Sequence, residues 1–143
     1  MTRFNQLPKH LQDKVDTRKQ EGENNKLVIP GQFPTMNTII DKSKTHWSQY
    51  KRMKDNYDAI VQYYVEQQRI KFFEAVKLNI TYYRKDKRTD PDNIAAAKKF
   101  IIDGLVSAGV LEDDGWKQVK GFKESWEVDK DNPRIEIELE EVD

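Results

Sequence analysis

Asp90 and Asp92 stand either side of Pro91 in RTDPDNIAAAKK (88–99), and a second acidic pair, Asp113-Asp114, follows further along the chain. Carboxylates are the natural ligands of a hard divalent cation such as Mg²⁺, which keeps several of its waters and needs few protein oxygens. Such a cation can activate water, orient a phosphodiester and stabilise the leaving oxygen. A lysine close by can neutralise the charge that builds up on the phosphoryl group. Directly upstream, Arg84, Lys85, Lys87 and Arg88 form a basic run that could hold a phosphate backbone. Acids, a lysine and a basic run are a minimal kit for cutting a phosphodiester.

The element that must position these groups is a helix over about 90–108. Pro91 suits its first position and Gly109 its end. At about 100° per residue from Asp92, Lys99 falls near −20° and Asp103 near +20°, whereas Lys98 lies near −120°. Ile94, Ala97, Ile101, Leu105 and Ala108 cluster on the opposite, core-facing side. Lys99 is therefore the favoured phosphate-facing lysine. An unbroken helix puts its two ends roughly 25–28 Å apart. Asp113 and Asp114 join Asp90 and Asp92 only if the following loop or strand carries them back.

Structural roles for the same residues stand beside the chemical ones. Asp90 could cap the helix, Asp92 could complement its dipole, and Asp113-Asp114-Gly115 could be a turn. Lys98 and Lys99 could be solvated helix residues, and the basic run a solvated loop.

The remaining elements follow from periodicity. KLVIPG (26–31) predicts a short strand stopped by Pro30-Gly31, and Pro34 excludes a central strand over 32–41. Trp47, Tyr50, Tyr57, Ile60, Val61 and Tyr64 recur at helical spacing, with Ser43 or Thr45 as the cap. Lys42, Lys44, Lys51 and Arg52 add positive charge around the start of that helix. In AVKLNITYY (75–83), Val76, Leu78, Ile80 and Tyr82 alternate with Lys77, Asn79, Thr81 and Tyr83, a half-buried strand. KQVKGFKESWEV and RIEIELEEV predict two closing strands joined by the turn DKDNP; Ile135, Ile137 and Leu139 face the core. The expected fold is α+β, in the order β-α-β-α-β-β, with a mixed sheet packed against two helices. Residues 1–25 read as a polar arm, disordered or forming a short helix through Leu7, Leu11 and Val15. Residues 26–143 form the domain.

Composition bounds the function. The 143 residues, 36% hydrophobic and 35% charged, suit one domain with a modest core. Without cysteine there is no disulfide frame, thiolate zinc site or cysteine nucleophile, and two histidines, His10 and His46, make no histidine-rich metal site. No apolar leader or membrane-length stretch is present, and a cytoplasmic protein is expected. The formal net charge is zero, but residues 1–99 carry 20 Lys/Arg against 12 Asp/Glu and residues 100–143 carry 5 against 13. A dipolar chain of this kind can offer nucleic acid a basic face.

The segment RTDPDNIAAAKKFIIDGLVSAGVLEDDGWKQV resembles the signature of the RusA family of Holliday junction resolvases, found in phages, prophages and some bacteria. Asp90-Pro91-Asp92-Asn93, Asp103-Gly104-Leu105, Gly109 and Asp113-Asp114 occur in the family's order. PGQFPTMN is similar to its Pro-rich turn ending in Asn, here Asn37, and PRIEIEL resembles its last strand. The resemblance covers roughly residues 27–141. It implies that Asp90, Asp92 and Asp114 hold Mg²⁺ (or Mn²⁺), with Asp113 as second choice for the third ligand. The family's lysine, one turn after the second aspartate, corresponds to Ala96. Counting back from Asp103 reaches Lys99, with Lys98 the alternative. It further implies a homodimer that resolves four-way or other branched DNA in recombination and repair by paired symmetric nicks, metal-activated water attacking the phosphodiester. Arg84, Lys85, Lys87, Arg88, Lys42, Lys44, Lys51, Arg52 and Asn37 would contact the DNA. The first long helix and the strand edges are both candidate dimer surfaces. The rival reading is a non-catalytic branched-DNA-binding or replication-fork accessory protein with the same fold.

Overall fold

The computed structural model describes residues 22–143. Most of the expected polar arm, with Leu7, Leu11 and Val15, lies outside them. Its last residues are tied down: Glu23 and Asn24 donate their amides to the Arg69 carbonyl, and Lys71 donates to the Asn24 carbonyl.

Four strands, β1 (Lys26–Pro30), β2 (Val76–Arg84), β3 (Val119–Val128) and β4 (Arg134–Glu141), form one sheet in the order β1-β4-β2-β3. The β1–β4 and β4–β2 pairs are antiparallel, and β2–β3 is parallel. The closing strands are thus not a hairpin. The turn 129–133 carries the chain across β2, so that β3 and β4 flank it. The reason is visible in the burial: alternation in β2 and β4 is strict, with Val76, Leu78, Ile80 and Tyr82 against Ile135, Ile137 and Leu139, all buried. Two such faces bury most by pairing with each other. In β3 every residue keeps some exposure, and it takes the edge.

The first helical region is two helices, α1 (Met36–Thr45) and α2 (Trp47–Gln67). Thr35 caps α1, its hydroxyl accepting from the Thr38 amide. Neither Ser43 nor Thr45 caps α2. Both hydroxyls donate back to carbonyls inside α1, Ser43 to Ile40 and Thr45 to Asp41, and extended His46 starts α2. Val61 and Val65 are the fully buried part of α2, while Trp47 is 71% exposed and not core.

The second region is also divided, into α3 (Pro91–Ile94) and α4 (Ala97–Ser107). Ala95 and Ala96 keep right-handed helical angles, but the Lys98 amide bonds Ala95 rather than Ile94, a tight turn that bends the rod without ending it. Its stripe of Ile94, Ala97, Ile101, Leu105 and Ala108 is buried as expected. Gly109, at φ +80°, closes α4: its amide reaches the Val106 carbonyl and the Val110 amide reaches Leu105. Helices α2 and α4 pack closely because Gly104 faces Val61; a Cβ there would lie 2.3 Å from the Val61 Cβ.

Candidate active site

The end of β2 delivers the chain to the acidic helix start. Arg84 is its last residue, and its guanidinium lies 3.5 Å from the Thr89 hydroxyl. Burial pushes the Arg84 guanidinium down from its usual pKa, with Asp86 opposing that shift. Lys85 and Lys87 are exposed, and Arg88 sits 3.7 Å from Asp86. Helix α1, bearing Asn37, Lys42 and Lys44, packs against α3. The expected basic residues therefore lie on elements adjoining the Asp90–Asp92 turn. Lys51 is engaged by Asp55 at 2.9 Å, one helical turn along α2.

Asp90 is the first residue before α3, yet its side chain makes no capping bond. Its carbonyl, not its carboxylate, receives the Asn93 and Ile94 amides. Asp92 is exposed and uses one oxygen, Oδ1, to accept from the Asn93 amide. Asp113 Oδ1 accepts the Asp114 amide at 2.8 Å, which commits Asp113 to shaping the turn. Asp114 is exposed, and no protein group engages its carboxylate among the described residues. A residue kept for capping spends its oxygens on amides. Asp90 and Asp114 do not.

The two lysines differ in the same way. Lys98 Nζ donates to Glu124 Oε1 at 2.8 Å and lies 4.5 Å above the Phe122 ring. Glu124 also accepts from the Tyr82 hydroxyl, and burial, then that bond, raises the Tyr82 pKa above its usual value. Lys98, Glu124 and Tyr82 thus tie α4, β3 and β2 together. Lys99 is 62% exposed and pairs with Asp103 at 3.3 Å; Asp103 also sits 3.9 Å from Lys54 of α2. Ala96, the position to which the family resemblance assigns a lysine, occupies the bend between α3 and α4.

Topology decides which acids can meet. β2 and β3 run parallel, Val76 level with Val119 and Arg84 with Val128. Asp90 and Asp92 follow the end of β2. Asp113 and Asp114 precede the start of β3, held there because Val119 donates to the Gly115 carbonyl and Val76 to the Gln118 carbonyl. The two pairs leave from opposite ends of these strands, and β2 alone spans about 26 Å at 3.3 Å per residue. Accordingly, no cluster of three or more His, Cys, Asp or Glu suited to a metal occurs among the described residues. Asp90 and Asp92 offer a pair of exposed oxygen donors that suits Mg²⁺, but one chain does not bring Asp114 to them.

The family model for endodeoxyribonuclease RusA matches residues 30–140 of the 143. The chain belongs to the RusA family. It is therefore a structure-specific endonuclease of the Holliday junction resolvase type, and branched DNA is its substrate. The match spans β1's end to β4, so the α+β fold with its mixed four-stranded sheet is the RusA domain itself. No curated protein matches the chain. Among the described residues no helix is long and apolar enough to cross a membrane. Sequence reasoning missed Glu124: its bonds join residues 26 and 42 positions apart, and only the parallel pairing of β3 with β2 creates them.

Proposed function

We propose that this RusA-family chain is a Mg²⁺-dependent resolvase (Mn²⁺ can substitute) that acts as a homodimer, each site taking Asp90 and Asp92 from one copy and Asp114 from the other. The observation that supports this reading is a pairing of freedom with distance. Among the described residues no protein group engages the Asp90 or Asp114 carboxylate, yet the two lie in segments that leave opposite ends of one sheet. A two-fold dimer can present opposite ends of its two copies to each other, and it supplies two symmetric sites for paired nicks.

Bound there, the cation supplies water activation and charge neutralisation at the phosphodiester. The chain's own residues do the rest. Pro91 fixes the spacing of Asp90, just before α3, and Asp92, in its first turn. Lys99, on the exposed side of α4, is held by Asp103 and can turn its ammonium to the scissile phosphate. Lys85, Lys87 and Arg88 continue from the helix start, and Asn37, Lys42 and Lys44 from α1, to contact the backbone of the junction arms, with Arg84, Lys51 and Arg52 behind them. Recognition then rests on junction shape and backbone charge. A bacterial cytoplasm, with the chain encoded by the host or a prophage, is the setting that the family resemblance implies.

The test is cleavage and binding of a synthetic four-way junction with Mg²⁺. Asp92→Asn and Asp114→Asn should each abolish cleavage yet bind the junction as tightly or more tightly, since each removes negative charge beside phosphate. Cleavage by either variant, or binding by the native chain without paired nicks, would overturn the assignment.

A further inference from the structure

We infer that β3 is the seam of the homodimer: it pairs antiparallel with β3 of a second copy about a two-fold axis near Ser125, making one continuous eight-stranded sheet. The inference rests on the two-copy site proposed above and names the surface that builds it.

The two edges of the sheet are unlike. At the β1 edge the Gln68 side chain bonds both the amide and the carbonyl of Val28, at 2.8 and 2.7 Å, and Pro30 has no amide to offer. That edge is closed to another strand. The β3 edge runs ten residues, and among the described residues nothing pairs with it. Long unpaired edges are templates for a further strand. On its helix-side face Phe122, Trp126 and Val128 remain 44%, 36% and 48% exposed, although Trp126 stacks on Tyr82. Three large apolar groups beside an open edge fit a partner strand better than water.

A second copy is the occupant because of what the symmetry does to the acids. Antiparallel pairing sets the start of the partner's β3 beside the end of this copy's β3. The partner's Asp113-Asp114 turn then lies at the end where β2 delivers Asp90 and Asp92. The lateral offset is two strand spacings, about 10 Å, in place of about 26 Å along the strand. Any pairing that leaves the strands parallel keeps the acids apart.

The register follows from charge. Facing residues of paired strands share a sheet face, so the two-fold axis passes through one residue and its own copy. An axis at Lys123 or Glu124 sets like charges against each other. An axis at Ser125 sets Lys123 opposite the partner's Glu127 and Phe122 opposite the partner's Val128.

The chain has no cysteine, so one introduced thiol reports on one position. Ser125→Cys should oxidise to a covalent dimer at least tenfold faster than Lys77→Cys, an exposed control on the open face of β2, and the linked protein should still cut the junction. Phe122→Asp with Trp126→Asp should give a folded monomer by circular dichroism and sedimentation. A native dimer in which Ser125→Cys links no faster than the control, or a doubly substituted chain that stays dimeric, overturns the seam and leaves the nuclease reading intact. Fast linking in a chain that cuts no junction upholds the seam and sinks the nuclease reading.

Discussion

At the scale of single residues, function shows in what a side chain declines to do. Asp90 stands where helix caps stand and does not cap; Asp113 serves its turn, and among the described residues no group engages the Asp114 carboxylate. The same contrast sorts the lysines. Lys99→Met should lower cleavage about 100-fold, the usual size for one lost charge-stabilising group at a transition state, with junction affinity changed only a few-fold. Lys98→Met should act on folding instead. Losing its half-buried bond to Glu124 should cost about 1–2 kcal/mol in chemical denaturation, with the cleavage rate of the folded protein nearly kept. The opposite pattern would move the catalytic role to Lys98. The exposed face shared by Lys99 and Asp103 was legible in the sequence because the wheel concerns neighbours on one helix. Glu124 was not, because its partners arrive from β2 and α4 only after the sheet has formed.

At the scale of elements, periodicity gave the strands and the two helical regions, but not their interruptions. His46 and the Ala95-Ala96 bend carry no glycine or proline to mark them. Nor could alternation alone reveal that β2 inserts between β3 and β4, since a short turn reads as a hairpin. The crossing of α2 and α4 depends on the missing side chain of Gly104. Gly104→Ala should lower stability by about 1–3 kcal/mol through overpacking, and Val61→Ala in the same chain should recover part of it; thermal melts of the two variants check this. The turn between β3 and β4 sets an acid limit on stability. Arg134 donates to Glu136 at 2.7 Å and to Asp129 at 2.8 Å, and its bonds hold both carboxyls below their usual pKa. A depressed carboxyl contributes stability above its unfolded value, and that contribution is lost as pH falls through the folded one. Melting temperature should therefore fall as pH drops through and below the ordinary carboxylate range. Arg134→Met should flatten that part of the profile.

At the scale of the whole molecule, neutrality hides a division of labour. Basic residues gather on α1, the start of α2 and the run before Asp90, while the acidic surplus lies in the last third of the chain. The fold sends Asp90 and Asp92 from one end of β2 and Asp114 from the other, so under the two-copy site proposed above a single chain would carry two half-sites and two chains would complete both. That separation was foreshadowed by helix length but depended on the direction of β3, which only the sheet could supply. The decisive measurement mixes the Asp92→Asn and Asp114→Asn proteins, each inactive alone, under conditions where subunits exchange. Their heterodimer holds one site with both substitutions and one with neither, if the site spans two copies. Nicking of a four-way junction with Mg²⁺ should return in the mixture, on one strand at a time and without coordinated paired cuts. If the mixture stays as inactive as its components although heterodimers form, the acids do not act across two copies and the account is wrong.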